Sequence, residues 1–208
     1  ESKNNFVKLF PHCKEKAIYC NNLIDGQKII EKSEENIDTK KENIVTFLNV
    51  GRHDERQKRL TRLIEAAELL KKDSLKFRIL FVGDGQDNKL YKEMVSNKKL
   101  DDTIIFLGKQ KNPYPYYKIS DGVILTSDYE GYPVVFLESM ILKRPIITTK
   151  VSDYAQIEGK YGIVTSKDVN DIYLEMKKFI QNGFEIKERF DYQKYNQEIL
   201  ENLEKLFW

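Results

Sequence analysis

The stretch from Asp121 to Thr149, DGVILTSDYEGYPVVFLESMILKRPIITT, constrains the fold of this chain more than any other. Val123, Ile124 and Leu125 form a short apolar run bounded by polar residues, the pattern of a buried strand. Ser127 to Tyr132 make a polar loop that contains Gly131. Pro133 suits the first position of a helix, since its fixed φ fits the turn and its missing N–H is not needed there. Val134, Leu137, Met140 and Ile141 keep one apolar face through that helix. Arg144 and Pro145 end it, and Pro145 to Thr149 reads as the next buried strand. Two carboxylates mark the unit: Glu130 just before the helix and Glu138 on it, with seven residues between them.

The same alternation runs through most of the chain. Ile44–Val50, Phe77–Val82, Thr103–Leu107 and Tyr161–Val164 are further apolar runs of strand length, and continuous runs of this kind belong to parallel strands covered on both faces. Leu60, Leu63, Ile64, Ala67 and Leu70 predict an amphipathic helix after the first run, and Leu90, Tyr91, Met94 and Val95 a second. Val169, Ile172, Tyr173, Met176, Phe179 and Ile180 predict a later helix, and Tyr192, Tyr195, Ile199, Leu203 and Leu206 the terminal one. Asn112 with Pro113 caps a short helix whose tyrosines pack under the next strand. Strand and helix alternate at least five times, so the expected fold is a doubly wound α/β domain with a parallel sheet. Residues 44–208 are assigned to it. Residues 1–43 are less regular, with a strand at Ala17–Tyr19 and a short helix over Gln27–Ser33, and read as a linker or arm.

Composition narrows the function. Lys and Arg total 35 against 33 acids, a net charge of +2, which implies no strongly basic face and no nucleic-acid partner. A local basic patch for peripheral contact with a membrane is compatible with that balance. No apolar run approaches the roughly 20 residues needed to span a bilayer. Cys13 and Cys20 with His12 fall short of a zinc set, and they read as free thiols of a reducing compartment. The expected location is therefore cytoplasmic, including the inner face of the membrane.

In a sheet of this class, ligands sit at the carboxyl ends of the strands. Arg52, Gly83-Asp84-Gly85, Gly108-Lys109 and Ser127–Val134 all follow strands and so share that edge. Cations at Arg52, Arg56, Lys58 and Arg59 stand where a helix opens, and the helix dipole disfavours them there. An anionic ligand would resolve the conflict, although at least two of the four are also read as solvated. A diphosphate could dock on the outward N–H groups over Gly131–Val134. A carboxylate further along the helix could accept hydrogen bonds from a ribose diol, and one in the preceding loop could hold sugar hydroxyls.

EGYPVVFLESMILKRPIITT resembles the Glu-x7-Glu region of the retaining glycosyltransferases of family 4, which have the two-domain GT-B fold. The resemblance covers roughly residues 44–207. It implies that this chain is the C-terminal, donor-binding half and that an acceptor-binding N-terminal domain is missing. It further implies that Arg52 and Lys58 meet the donor diphosphate, that Glu138 serves the ribose, and that Glu130 orients the sugar. Gly131, Tyr132, Pro133 and Val134 would line the phosphates, and Lys109 would border the base. Arg59 replaces a frequent Gly, and the loop before Lys58 is one residue longer than the commoner pattern. Lys150–Tyr154 stands where many relatives have a glycine-rich turn. The implied partners are a nucleotide sugar, with uridine favoured, and a glycan or lipid-linked acceptor in surface polysaccharide synthesis. No cofactor and no metal are implied, and the half-enzyme alone would not transfer sugar. Two other readings are an epimerase or phosphorylase of the same fold, and a non-catalytic nucleotide-binding module.

Overall fold

The computed structural model describes residues 2–15 and 21–204, with side chains from Phe6 onward. The expected strand at Ala17–Tyr19, together with Cys20 and Leu206, lies outside the described residues. The strands are β1 (Val45–Val50), β2 (Phe77–Val82), β3 (Ile104–Gly108), β4 (Gly122–Leu125), β5 (Ile146–Thr149) and β6 (Gly162–Thr165). Their ends lie within one residue of the apolar runs in the sequence. The helices are α1 (Ser2–Leu9), α2 (Gly26–Ser33), α3 (Leu60–Lys72), α4 (Asn88–Asn97), α5 (Tyr114–Ile119), α6 (Val134–Ile141), α7 (Val169–Asn182) and α8 (Tyr192–Glu204). The order across the sheet is β3-β2-β1-β4-β5-β6, and every pairing is parallel.

Successive residues of a strand face opposite sides, which splits the core in two. Phe47, Ile79, Phe81, Ile124 and Ile147 pack against α3, α4 and α7. Leu48, Leu80, Val123, Leu125 and Ile146 pack against α2, α5 and α6. The helix over 26–33 is thus part of the domain wall, with Ile29 buried. Segment 22–26 is held in turn by α8. Asn196 accepts from the Ile24 N–H at 3.0 Å and donates to the Ile24 carbonyl at 2.8 Å. On α8, Ile199 is buried while Leu200 remains exposed.

The chain runs outward from β1 to β3 and then returns to β4 beside β1, so the direction reverses between those two strands. Such a reversal opens a crevice at their carboxyl ends. Here β1 and β4 pair only at Phe47–Gly122 and Leu48–Val123. One step further, the buried Asn49 side chain donates to the Ile124 carbonyl at 2.8 Å and stands in for the backbone.

The loops beside the crevice interlock. The His53 N–H donates to the Asp84 carbonyl at 2.9 Å, and the Gly83 backbone passes so close to Gly51 that a Cβ would lie 1.8 Å from its carbonyl oxygen. Gly83 also has φ +153°, which L side chains rarely adopt. Gly83→Ala is expected to destabilise the fold by about 2–3 kcal/mol, read as a lowered midpoint in urea unfolding. An unchanged midpoint would contradict this packing.

Candidate functional site

Glu130 sits at the carboxyl edge between β4 and α6, its side chain only 7% exposed. Lys58, from the loop between β1 and α3, donates to its Oε1 at 2.6 Å. The Ser127 hydroxyl donates to the same oxygen at 2.6 Å, and Gln57 Nε2 donates to Oε2 at 3.2 Å. The Glu130 carbonyl accepts from the Ser152 hydroxyl at 2.6 Å. Lys58 is itself 16% exposed, so this ion pair is mostly out of water. A pair in such surroundings is tolerable when further hydrogen bonds complete it, as these do.

The four cations divide. Arg52, with 67% of its side chain exposed, makes only a long contact to Asp54 at 3.9 Å and a bond to Gln57 Oε1 at 3.2 Å. Arg56 is also exposed. Lys58 and Arg59 instead pair with carboxylates of the chain, Glu130 and Asp128. Two of the four, Arg52 and Arg56, are thus solvated, and for Lys58 and Arg59 internal carboxylates, rather than the external anion expected from the sequence, offset the unfavourable dipole.

Glu138 lies one turn into α6 and is 9% exposed. Buried Tyr117 donates its hydroxyl to Oε2 at 2.6 Å. Beside the carboxylate opens a cavity of about 330 Å³ walled by Asn22–Asp25, Lys28, Tyr114 and Val134. Burial raises the pKa of the Glu138 carboxyl above its ordinary range, while the hydroxyls of Tyr117 and Tyr114 pull it back. In return, burial and the carboxylate push the Tyr114 phenol up to about 12.

Between the two carboxylates runs the turn Gly131–Val134. Pro133 is buried and extended, one place before the helix rather than in it, so Val134 opens α6. Gly131 faces open space, since an added Cβ would meet nothing within 4 Å. Val134 is 41% exposed; the Phe136 N–H donates to the Pro133 carbonyl at 2.9 Å, and the N–H groups of Val134 and Val135 ahead of it are ones a helix leaves without an intrahelical partner. Tyr132 is half-buried, and its hydroxyl lies 3.1 Å from that of Tyr195 on α8. Lys109 is exposed after β3, separated from β4 by β2 and β1, and is not brought to these groups.

The structure therefore assembles Lys58 with Glu130, and places Gly131–Val134 between Glu130 and Glu138. The partners Gln57 and Tyr117 were not read from the sequence as part of the site, and Ser127 was read only as the start of the loop on that edge. Tyr114 and Tyr117 carried a signal: three apart on a helix they share a face, and a buried phenol needs an acceptor. Among the described residues, no group of three His, Cys, Asp or Glu side chains is arranged to hold a metal ion. Cys13 is a free thiol. No helix among the described residues is long and apolar enough to cross a membrane.

A doubly wound parallel sheet of this order, flanked by helices on both faces, is the Rossmann-like architecture found in GT-B glycosyltransferases. The profile of the glycosyl transferases group 1 matches residues 28–198, and the chain belongs to that family. It is 27% identical over 185 residues to an uncharacterized glycosyltransferase of Methanocaldococcus jannaschii, covering 79% of this chain and 45% of that protein. It is 29% identical over 131 residues to the poly(ribitol-phosphate) alpha-N-acetylglucosaminyltransferase of Staphylococcus aureus, covering 60% of this chain and 26% of the relative. The chain thus spans less than half the length of these relatives. Among solved structures, Anabaena HepE in complex with UDP-glucose superposes with a TM-score of 0.72 at 18% identity, over 92% of this chain and 58% of that one. The family includes relatives in polysaccharide biosynthesis, such as the capsular glycosyltransferase CapH of S. aureus, 28% identical over 73% of this chain and 40% of its own length.

The raised pKa of Glu138 has a consequence for stability. The folded chain holds this proton more tightly than the unfolded one, whose Glu titrates near about 4.3. Stability contributed below that value is therefore lost as pH rises through the folded pKa. Glu138→Gln keeps an oxygen for Tyr117 and removes the buried charge. It is expected to melt above the parent at pH 7 and level with it at pH 4. A lower melting temperature at pH 7 would contradict the assignment.

Proposed function

We propose that this chain is the donor-binding half of a retaining glycosyltransferase. It would take a sugar from a nucleotide-diphosphate sugar, with uridine as the base, for transfer to a glycan or lipid-linked acceptor in surface polysaccharide synthesis. The observation that carries the reading is the pair of environments at the two ends of one turn: Glu130 beside Lys58, and Glu138 beside a cavity and two tyrosine hydroxyls. Gly131, Tyr132, Pro133 and Val134 between them form an open turn that leads into the N-terminus of α6, a natural seat for a diphosphate.

In this reading Glu138 accepts from the ribose diol, and Tyr117 keeps its carboxylate aimed. Arg52, largely exposed, and Lys58 neutralise the diphosphate as the bond from the anomeric carbon to the phosphate oxygen breaks. Electrostatic stabilisation aimed at developing charge is the strongest means available to such a site. Glu130 orients the sugar ring and supports the positive charge growing at the anomeric carbon. The acceptor hydroxyl then bonds that carbon on the face the diphosphate leaves, and its proton passes to the departing phosphate oxygen. The two carboxylates are not an acid and nucleophile pair of the glycosidase kind. Lys109 would border the base, and the chemistry needs no cofactor or metal in this account. The acceptor would be held by a further, N-terminal GT-B domain, while residues 22–33 are built into the donor domain's own wall, so the 208 residues alone would not transfer sugar. Superposition on proteins solved with UDP makes UDP the first nucleotide to test.

Calorimetric titration with UDP, GDP and ADP checks this. UDP alone is expected to bind, with Kd between about 1 μM and about 0.5 mM. Glu138→Ala and Arg52→Ala should each weaken it by roughly ten-fold or more. Binding to none of the three, or UDP binding indifferent to Glu138→Ala, would contradict the reading.

A further inference from the structure

Glu130 can act on a sugar only if its loop is held, and the described contacts point to two residues that hold it. Asp128 is the hub. Its carboxylate receives Arg59 Nε at 2.5 Å, Arg62 Nη2 at 2.8 Å and Lys167 Nζ at 3.5 Å. Its backbone is engaged as well: the N–H donates to the Gln57 carbonyl at 2.8 Å, and the carbonyl accepts from Lys167 Nζ at 2.6 Å. Three cations around one carboxylate, from α3 and from the loop after β6, fix the stretch two residues before Glu130.

Arg59 is the unusual member. It precedes α3 with φ 51° and ψ 46°, in the left-handed region. Non-glycine residues adopt that conformation at a cost. It is also a cation at a helix N-terminus, where the dipole favours Asp, Asn or Ser. Gly would relieve the first conflict and a short polar residue the second, yet the position carries a side chain that incurs both. What Arg59 gains is Asp128, with Glu55 Oε1 at 3.5 Å as a second contact. The turn also presents the carbonyls of Lys58 and Arg59 to the Thr126 hydroxyl, at 3.1 and 3.0 Å. Residues 57–59 are thereby laced along 126–130.

We propose that Arg59 and Asp128 are positioning residues: the strained Arg59 backbone is retained so that its guanidinium can clamp Asp128 and set the place of Glu130 against Lys58. Backbone strain that persists beside a candidate active site, over-determined by its surroundings, is the pattern expected of a functional constraint. The inference rests on the donor-site reading for what Glu130 does, and on geometry alone for what holds it.

The test is Arg59→Gly, with Asp128→Asn and Glu130→Gln beside it, in this 208-residue chain. A merely structural ion pair predicts that its removal lowers the melting temperature. A clamp held under strain predicts something different. Arg59→Gly should melt no lower than the parent, while amide exchange across 126–131 rises about ten-fold or more. Its affinity for UDP should stay within about two-fold, while the added affinity of UDP-N-acetylglucosamine or UDP-glucose over UDP falls by roughly three- to ten-fold. Asp128→Asn should speed exchange of the same amides, and Glu130→Gln should reproduce the loss of sugar affinity. Unchanged exchange at 126–131 in Arg59→Gly would overturn the proposal, as would a fall in melting temperature with a parallel loss of UDP affinity. Should no uridine nucleotide bind the parent chain, the donor-site reading fails, and the exchange measurement still decides whether Arg59 and Asp128 hold the loop.

Discussion

The Lys58–Glu130 pair is the interaction on which the rest of the site depends. It joins the loop after β1 to the loop after β4, the two neighbouring strands between which the sheet reverses direction. Those strands separate early, with Asn49 substituting for a ladder bond, so the loops beyond them need another tie. A salt bridge this far from water is unfavourable unless its remaining hydrogen bonds are satisfied. Ser127 and Gln57 complete it from either side. The result is a carboxylate fixed at the mouth of a crevice, beside a helix N-terminus that attracts anions.

The second carboxylate solves a different problem. Glu138 is buried by α6 itself, against the core shared with α5, and its charge is disfavoured there. The phenol of Tyr117 reduces that penalty without supplying a positive charge. Glu138 also lines the cavity walled by residues 22–25, where, in the proposed function, hydroxyl donors of a ligand would meet it. The wall exists because α8 folds back to hold Ile24 through Asn196, which links the far end of the chain to the edge of the candidate donor pocket.

Much of the fold was legible because parallel strands covered on both faces must be apolar throughout, and turn residues punctuate them. The six runs predicted the six strands to within a residue for that reason. The site was legible as a set of loops on one edge, and Glu130 and Glu138 stood out by their spacing around the helix start. What was hidden was pairing. Nothing in RHDERQKR says that Lys58 turns to Glu130 and Arg59 to Asp128 while Arg52 and Arg56 face solvent, because those choices are made by a loop some seventy residues away. The left-handed backbone at Arg59 runs against local preference and so leaves no local sign. Asn22–Asp25 likewise read as a linker, since its covering role depends on α5, α6 and α8.

The most direct test is a crystal structure of this chain with UDP-glucose bound. The account predicts the diphosphate within about 3.5 Å of the Val134 N–H, the ribose hydroxyls on the Glu138 carboxylate, and the sugar beside Glu130. A nucleotide seated elsewhere on the domain, or one at this turn with its ribose away from Glu138, would contradict it.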